Sequence, residues 1–390
     1  MQGPIYLDYH ATTPVDPRVL DAMLPYFRER FGNAASHQHI FGWVAAEAGE
    51  QSRACVAHLV GAEPTEIIFT SGATESINLA LKGVAEAYAP RGRHIVTFVT
   101  EHKATLDTVH RLEGRGYQVT YLPVDRSGLI LLAQLEGALR NDTILVSVLF
   151  ANNEIGVIQP ISEIGELTRR AQILLHVDAA QAVGKIPIDV NAMNIDLMSM
   201  SAHKLCGPKG VGALYVRRRQ PRVRLSPIID GGGHERGSRS GTLNVPGIVG
   251  FGRACEIAGL EMEQERIRVS ALRERLWDRL SSEVEGITLH GHPTQRLAGN
   301  LNLSIDGVES SELFSELPDI ALSSGSACTS ANPEPSHVIR ALGVPDALAK
   351  GAIRIGLGRF TTEEEIDRAA AEIVTAVASI RARKSIVVST

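Results

Sequence analysis

Lys204 occupies an unusual setting in this 390-residue chain. It lies in "MSMSAHKLCGPKGVG", between an apolar run and a glycine-rich turn, with Ser201 and His203 just ahead of it. Apolar surroundings disfavour an ammonium and favour the neutral amine, which is the nucleophilic form. Other residues able to do chemistry also follow apolar runs. "IIFT" leads into Ser71, Gly72, Ala73 and Thr74, and "TFVT" into Glu101 and His102. "SVLFA" leads into Asn152, Asn153 and Glu154, while "LLHV" ends in Asp178 and soon reaches Gln181. Each alone suits a helix N-cap or a turn. Together they point to one site, because an open α/β sheet binds its ligands beyond the carboxyl ends of its strands.

The parts of that site differ in chemistry. "FTSGATESINLALKG" reads as strand, small-residue turn and amphipathic helix, which offers backbone N–H groups and a helix N-terminus to a phosphate. Neither the GxGxxG fingerprint nor a Walker-type GxxxxGK[ST] occurs, which argues against dinucleotides and ATP. A phosphate site, an aspartate at a neighbouring strand end and a lysine beyond another fit pyridoxal phosphate. That cofactor needs a lysine for a Schiff base and an acid to keep its ring nitrogen protonated.

The elements that must position these residues follow from the hydrophobic pattern. "EIIFT", "HIVTFVT", "QVTYLP", "TILVSVLF", "ILLHVD", "LMSMSA" and "GALYV" are apolar on both faces and alternate with helical stretches. This pattern predicts an α/β layer fold with a mostly parallel sheet. After about residue 246 a long, mixed-charge helical stretch precedes the strand candidates "NLNLSI", "IALSSGSA" and "AIRIGLGRF". Thr361 and Glu364 have capping-box spacing at the start of the last helix. The C-terminal part reads as a smaller α+β domain, beginning near residue 260.

The formal net charge of −5 argues against broad nucleic-acid binding. "YVRRRQPRVRL" (Arg217, Arg218, Arg219, Arg222, Arg224) is the local exception, either a solvated basic face or a docking patch for an acidic protein or RNA. The four cysteines form no C-x-x-C pair, so neither a disulfide framework nor a zinc site is expected, and Cys55 and Cys255 read as packing residues. No apolar run is long enough for a membrane span and the N-terminus has no signal-peptide pattern, so a cytoplasmic protein is expected.

The motifs "YLDYHATTPVDPRV", "FTSGATESINLALKG", "TEHKATLDT", "NNEIG", "HVDAAQAVGKIPID", "SAHKLCGPKGVGALYVRRR", "GGGHERGSRSGT" and "SSGSACTSA" with "EPSHVIRALG" occur in this order. Together they resemble the pyridoxal-phosphate-dependent cysteine desulfurases of the IscS/NifS type, from about residue 4 to 380. The resemblance implies the aspartate-aminotransferase-like fold (fold type I): a large domain with a seven-stranded sheet, here residues 15–259, and a small domain of residues 1–14 and 260–390. It also implies a homodimer.

Carried over residue by residue, Lys204 would hold the cofactor and Asp178 would pair with its ring nitrogen. Ala73, Thr74, Ser201 and His203 would cradle the phosphate, with Thr242 reaching in from the partner subunit. Ala202, beside the phosphate site, stands where close relatives often have glycine. Gln181 and Asn153 would contact the ring hydroxyl region, and His102 would stack on the ring and transfer protons. Arg354 would grip the carboxylate of L-cysteine, with Asn153 also at the substrate.

Cys328 would be the nucleophile that takes the sulfur as a persulfide, for acceptor proteins such as an iron–sulfur scaffold and for thiolation of tRNA or cofactors. A free thiol is mostly protonated at neutral pH, so His102 or the bound substrate would take its proton. A selenocysteine lyase or another lyase or aminotransferase of the same fold is the nearest rival. An aminotransferase would not need Cys328, and a noncatalytic scaffold would need none of Lys204, Asp178, His102 and Cys328. The short C-terminal sequence "IRARKSIVVST" leaves the acceptor open.

Overall fold

A run apolar on both faces must be covered on both faces, and this chain does so by laying seven such runs in one sheet between helices. The computed structural model describes residues 3–324 and 335–388. A first short strand, β1 (Ile5–Tyr6), precedes the large sheet. That sheet comprises β2 (Ile67–Thr70), β3 (His94–Phe98), β4 (Gln118–Leu122), β5 (Thr143–Leu149), β6 (Leu174–Asp178), β7 (Leu197–Ser201) and β8 (Gly212–Val216). Its order is β2-β8-β7-β6-β5-β3-β4, and all pairings are parallel except those of β8 with its two neighbours. Every residue of β2, β3 and β5 to β8 is buried, whereas the edge strand β4 is partly exposed.

A second core forms around β9 (Ile287–Leu289), β10 (Asn300–Ile305), β11 (Ile320–Ala321) and β12 (Ile353–Gly356). β10 lies between β9 and β12 in an antiparallel sheet, and β11 pairs with β1 in parallel. Ile5 and Leu7, from the start of the chain, pack here with Leu272, Leu303, Ile355 and Ile366. The 39-residue helix Val245–Glu283 is about 58 Å long at about 1.5 Å per residue, and it joins the two cores. Phe251 and Ala254 face the first core, and Leu272 and Leu276 the second. The expected division between residues 259 and 260 therefore falls inside one unbroken helix. Val338, Ile339 and Leu342, far along the C-terminal part, also pack into the first core.

Two local expectations need correction. The capping box of the last helix, Glu363–Val388, is Thr362 with Glu365, one residue later than the sequence spacing predicts. Thr361 instead accepts the Gly358 N–H at 3.1 Å. The basic run also does not act as one face. Arg217 is buried and donates to the carbonyls of Val190 and Ile195, while Arg218, Arg222 and Arg224 line a surface recess with Arg236. Among the described residues, no helix is long and apolar enough to cross a membrane.

One buried ion pair fixes the loop that carries Thr242. Arg53, on the helix Ile40–Leu59, meets Glu235 through two hydrogen bonds of 2.7 and 2.8 Å, and it also donates to the Ile67 carbonyl at 2.8 Å. Glu235 accepts the Phe69 N–H at 2.7 Å, which ties the loop to β2. Glu235 and Arg236 both adopt left-handed backbone (φ 49° and 57°), a strain that this pairing sustains. Glu235→Ala removes the buried acid of Arg53 and leaves it the exposed Glu50 at 3.0 Å, and it is expected to lower unfolding free energy by about 3–5 kcal/mol. Urea denaturation of the variant beside the wild type checks this.

Candidate active site

The ends of five strands of the large sheet, β12 and the N-terminal segment of the chain build the site. At one end, β2 turns at Gly72, whose φ of 153° suits a residue without a side chain, into the helix Ala73–Tyr88. Gly212 allows β8 to pass close beside that turn, since a Cβ there would lie 2.6 Å from Gly72 Cα. Helix N–H groups in the first turn have no partner within the helix, so Ala73 and Thr74 present donors to an anion. Glu75 accepts the Ser71 N–H at 2.8 Å and an Arg239 hydrogen bond at 2.8 Å, which holds the turn in shape.

β7 ends at Ser201 and passes into one tight turn, Ala202–Lys204. Ala202 is wholly buried behind it and bonds to Val211 through its N–H at 3.1 Å. His203 Nδ1 lies 3.1 Å from the Thr12 hydroxyl. Burial, followed by the Lys204 charge, pushes His203 down to about 4, so at neutral pH its ring is uncharged. The Lys204 amine donates to the carbonyls of His10 (2.6 Å) and Ala11 (2.8 Å).

β6 ends at Asp178, which is buried and accepts the Ala180 N–H at 3.0 Å. Burial raises its carboxyl above the ordinary range, while His102 and Lys204 oppose that rise. His102 caps the helix Lys103–Glu113 by accepting the Ala104 N–H on Nδ1 at 3.1 Å. Arg354, on β12, is buried beside Asp8 (2.6 Å) and donates to the Asn153 carbonyl at 3.1 Å.

The structure brings Ala73, Thr74, Ser201, His203 and Lys204 to one cavity of about 570 Å³, together with Asp178, Gln181, His102, Asn153 and Arg354. The volume lies within the usual range for small-molecule sites. Gln181 bonds to the His10 carbonyl at 2.8 Å and accepts from Lys185 at 3.0 Å. Thr242 is exposed and does not line the cavity of its own chain. Cys328 lies outside the described residues. Sequence reasoning missed His10, which works through its backbone carbonyl, and Asp8, whose role depends on a contact 346 positions away. It also missed His337, whose Nε2 lies 3.1 Å from the Glu101 carbonyl.

The donor set is graded along the cavity. Uncharged hydroxyls, a neutral imidazole and a helix N-terminus suit a phosphate at one end, and a buried carboxylate suits a protonated ring nitrogen at the other. The amine between them suits an aldehyde. These residues fit a phosphorylated pyridine aldehyde.

Beneath the site, His176 pins three strands together, with Nδ1 2.9 Å from the Ser147 hydroxyl and Nε2 2.9 Å from that of Ser199. Burial pushes its ring down to about 3. As pH falls below about 6.5, the unfolded chain protonates this histidine and the folded chain does not, so folding stability is lost. The loss attributable to His176 should approach about 1.4 kcal/mol per pH unit between the two values, and it is absent above about 6.5. Urea midpoints measured from pH 7 to pH 5 should fall less steeply in His176→Asn than in the wild type.

Residues 5–369 match the class-V aminotransferase family. The chain is 60% identical over 369 residues to the cysteine desulfurase IscS of Anaeromyxobacter dehalogenans (strain 2CP-C), across 95% of this chain and 91% of that one. A solved NifS-like protein superposes with a TM-score of 0.90 at 41% identity, covering 96% of this chain and 99% of its own. The structure of SspA in complex with cysteine superposes at 0.81 with 38% identity, covering 92% and 100%. A mostly parallel seven-stranded sheet, polar strand ends converging on a lysine and near-full-length likeness agree: the chain belongs to the class-V aminotransferase family and, within it, to the IscS/NifS-type cysteine desulfurases.

Proposed function

We propose that this chain is a pyridoxal-phosphate-dependent cysteine desulfurase, which converts L-cysteine to L-alanine and holds the released sulfur on Cys328 as a persulfide. The main support is the meeting in one cavity of the Lys204 amine, the buried Asp178 carboxyl, the His102 ring and a phosphate cradle. Ala73, Thr74, Ser201 and His203 would hold the phosphate, with Ala202 behind them, and Asp178 the ring nitrogen. His102 would lie on the ring, with Gln181 and Asn153 near its hydroxyl. Bound there, pyridoxal phosphate supplies an electrophilic carbon for amines and a ring that accepts the electron pair left when the substrate Cα loses its proton.

The chain's own residues do the rest. The carbonyls of His10 and Ala11 orient the Lys204 amine, and its uncharged form is the base for the Cα proton. Asp8 and the Asn153 carbonyl hold the Arg354 guanidinium at the cavity wall, where it takes the substrate carboxylate. The role of Cys328 rests on the "SSGSACTSA" match. Its thiolate attacks the substrate sulfur, an S–S bond forms as the C–S bond breaks, and the carbon is reprotonated to give alanine. Two thiols become one persulfide and one alanine, so no outside oxidant is needed.

The working form is a cytoplasmic homodimer. Phe27, Phe31, Phe41 and Trp43, each about half exposed or more, give a second copy an apolar face to cover. Thr242, exposed on its own chain, would complete the partner's phosphate site. Acceptor proteins, among them an iron–sulfur scaffold, would then collect the sulfur, with tRNA and cofactor thiolation as further uses.

Holoenzyme turning over L-cysteine with dithiothreitol tests this reading. The wild type should release alanine and sulfide in equal amounts. Cys328→Ala should stay yellow with bound cofactor and lose both products, whereas Lys204→Ala should slow the reaction by at least about 10²-fold. Full activity in Cys328→Ala would make the reaction an ordinary lyase or transaminase chemistry and overturn the persulfide step.

A further inference from the structure

A buried carboxyl with no part in the scheme above lies behind two residues of the cavity wall, His102 and Leu149. Glu101 follows β3 directly before His102 and is 2% exposed. Its Oε1 accepts the Leu149 N–H at 2.7 Å, and its Oε2 has no hydrogen-bond partner among the described residues. Leu149 is the register partner of Asp178 across β5 and β6, so the two carboxyls flank the end of β5, Glu101 after β3 on one side and Asp178 on β6 on the other. Of the titratable groups, His102 adjoins Glu101 in the chain, the Asp178 charge acts on it from β6, and His337, on the helix His337–Ala341, meets its carbonyl; Lys204 and Glu154 line the cavity beyond.

These surroundings divide the charge unequally. Asp178 has the Ala180 N–H and the favourable potentials of His102 and Lys204. Glu154 accepts from the Ser336 hydroxyl. Glu101 has one backbone donor, and as an anion it would keep a buried oxygen with no donor at all. Burial and the Asp178 charge both push its carboxyl well up, in the same direction as the geometry. Two neighbouring carboxyls in a dry site do not both ionise, and the one with fewer donors takes the proton.

We infer that Glu101 is a positioning residue that stands as a neutral carboxylic acid behind His102, so that of the Glu101 and Asp178 carboxyls Asp178 alone carries the charge. This inference rests on the proposed cofactor site. Its Oε1 ties the end of β5 to the segment after β3, and its uncharged state leaves Asp178 free of a competing anion. A ring nitrogen paired with Asp178 then holds its proton across the working pH range.

Glu101→Gln and Glu101→Leu, each prepared as holoenzyme, test this. Glutamine is uncharged and keeps an acceptor for the Leu149 N–H; leucine keeps neither oxygen. Glu101→Gln should retain kcat/KM within about threefold, and the pH midpoint of its bound-cofactor absorbance should stay within about 0.3 unit of the wild type. Glu101→Leu should lower kcat by about tenfold or more and move that midpoint.

Infrared spectra of the wild type at pH 7 should contain the C=O stretch of a buried protonated carboxyl, absent from Glu101→Gln. A shift of about one unit or more in the glutamine variant, or no such band in the wild type, would establish an ionised Glu101 and overturn the inference. Wild-type behaviour in Glu101→Leu would also overturn it, since Glu101 would then position nothing. If the leucine variant fails to fold, the glutamine variant and the infrared band still decide the matter. The band needs neither cofactor nor turnover, so a protein that shows it but binds no pyridoxal phosphate would sink the proposed function and leave the protonation of Glu101 established.

Discussion

The amine of Lys204 is held by two backbone carbonyls, those of His10 and Ala11, 194 and 193 positions earlier in the chain. Backbone carbonyls accept hydrogen bonds without adding a full charge, so they orient the amine without stabilising its ammonium form as a carboxylate would. The requirement reaches further than the amine. To place residues 10 and 11 there, the chain start must leave the second core at Leu7, cross the cavity and bond to the Lys204 turn. It does so through Thr13, which donates to the His203 carbonyl at 2.9 Å and accepts the Cys206 N–H at 2.9 Å. Asp16 then anchors the segment between Arg18 and Arg359, and these guanidinium groups hold its carboxyl well below the usual range. A segment that looks like an N-terminal appendage thus connects the two cores and sets the position of the central amine.

Several buried guanidinium groups have an acidic partner from a distant part of the chain. Arg354 has Asp8, Arg53 has Glu235, and Arg359 has Asp16 and Glu265. Removing one partner of such a pair is far more damaging than the net worth of the pair, because the other charge stays behind without water. The pairs therefore act as registers, each correct only when the two cores or the Thr242 loop are in place. The proposed phosphate end of the cavity follows a different rule. Its donors are neutral, as the His203 ring is at neutral pH. Neutral donors and a helix N-terminus bind a dianion without requiring buried cations when the site is empty.

The seven strands and their polar ends were legible because a strand covered by helices on both faces leaves an unbroken apolar run, and the residue after it must serve either a cap or a ligand. Lys204, Asp178 and His102 could be singled out for that reason. What escaped has common physical causes. β1 and β9 are two and three residues long, too short for any period to register. The capping box moved by one residue because Thr361 and Thr362 are both suitable caps, and the tertiary contact of Thr361 with Gly358 decides between them. Arg217 reads as one of a surface cluster, yet the carbonyls of Val190 and Ile195 take it inside. The helix Val245–Glu283 conceals the meeting of the two cores because neither core interrupts its backbone. The acceptor role of His10 leaves no mark on residue type at all, since any residue offers a carbonyl.

The same contacts bear on how Cys328 serves the site. Ser323 exchanges backbone hydrogen bonds with Arg354, the proposed carboxylate-binding residue. On the other side, the Ser336 hydroxyl donates to Glu154 and His337 meets the Glu101 carbonyl, next to His102. Both described neighbours of the 325–334 segment are therefore tied to walls of the cavity. Cys328 lies five positions beyond Ser323, and a chain covers at most roughly 17 Å over that length. Under the proposed function, a thiol within that reach of the Arg354 strand would capture sulfur at a high effective concentration. The anchors on Ser323, Ser336 and His337 would then matter because they fix both ends of that segment to the cavity walls.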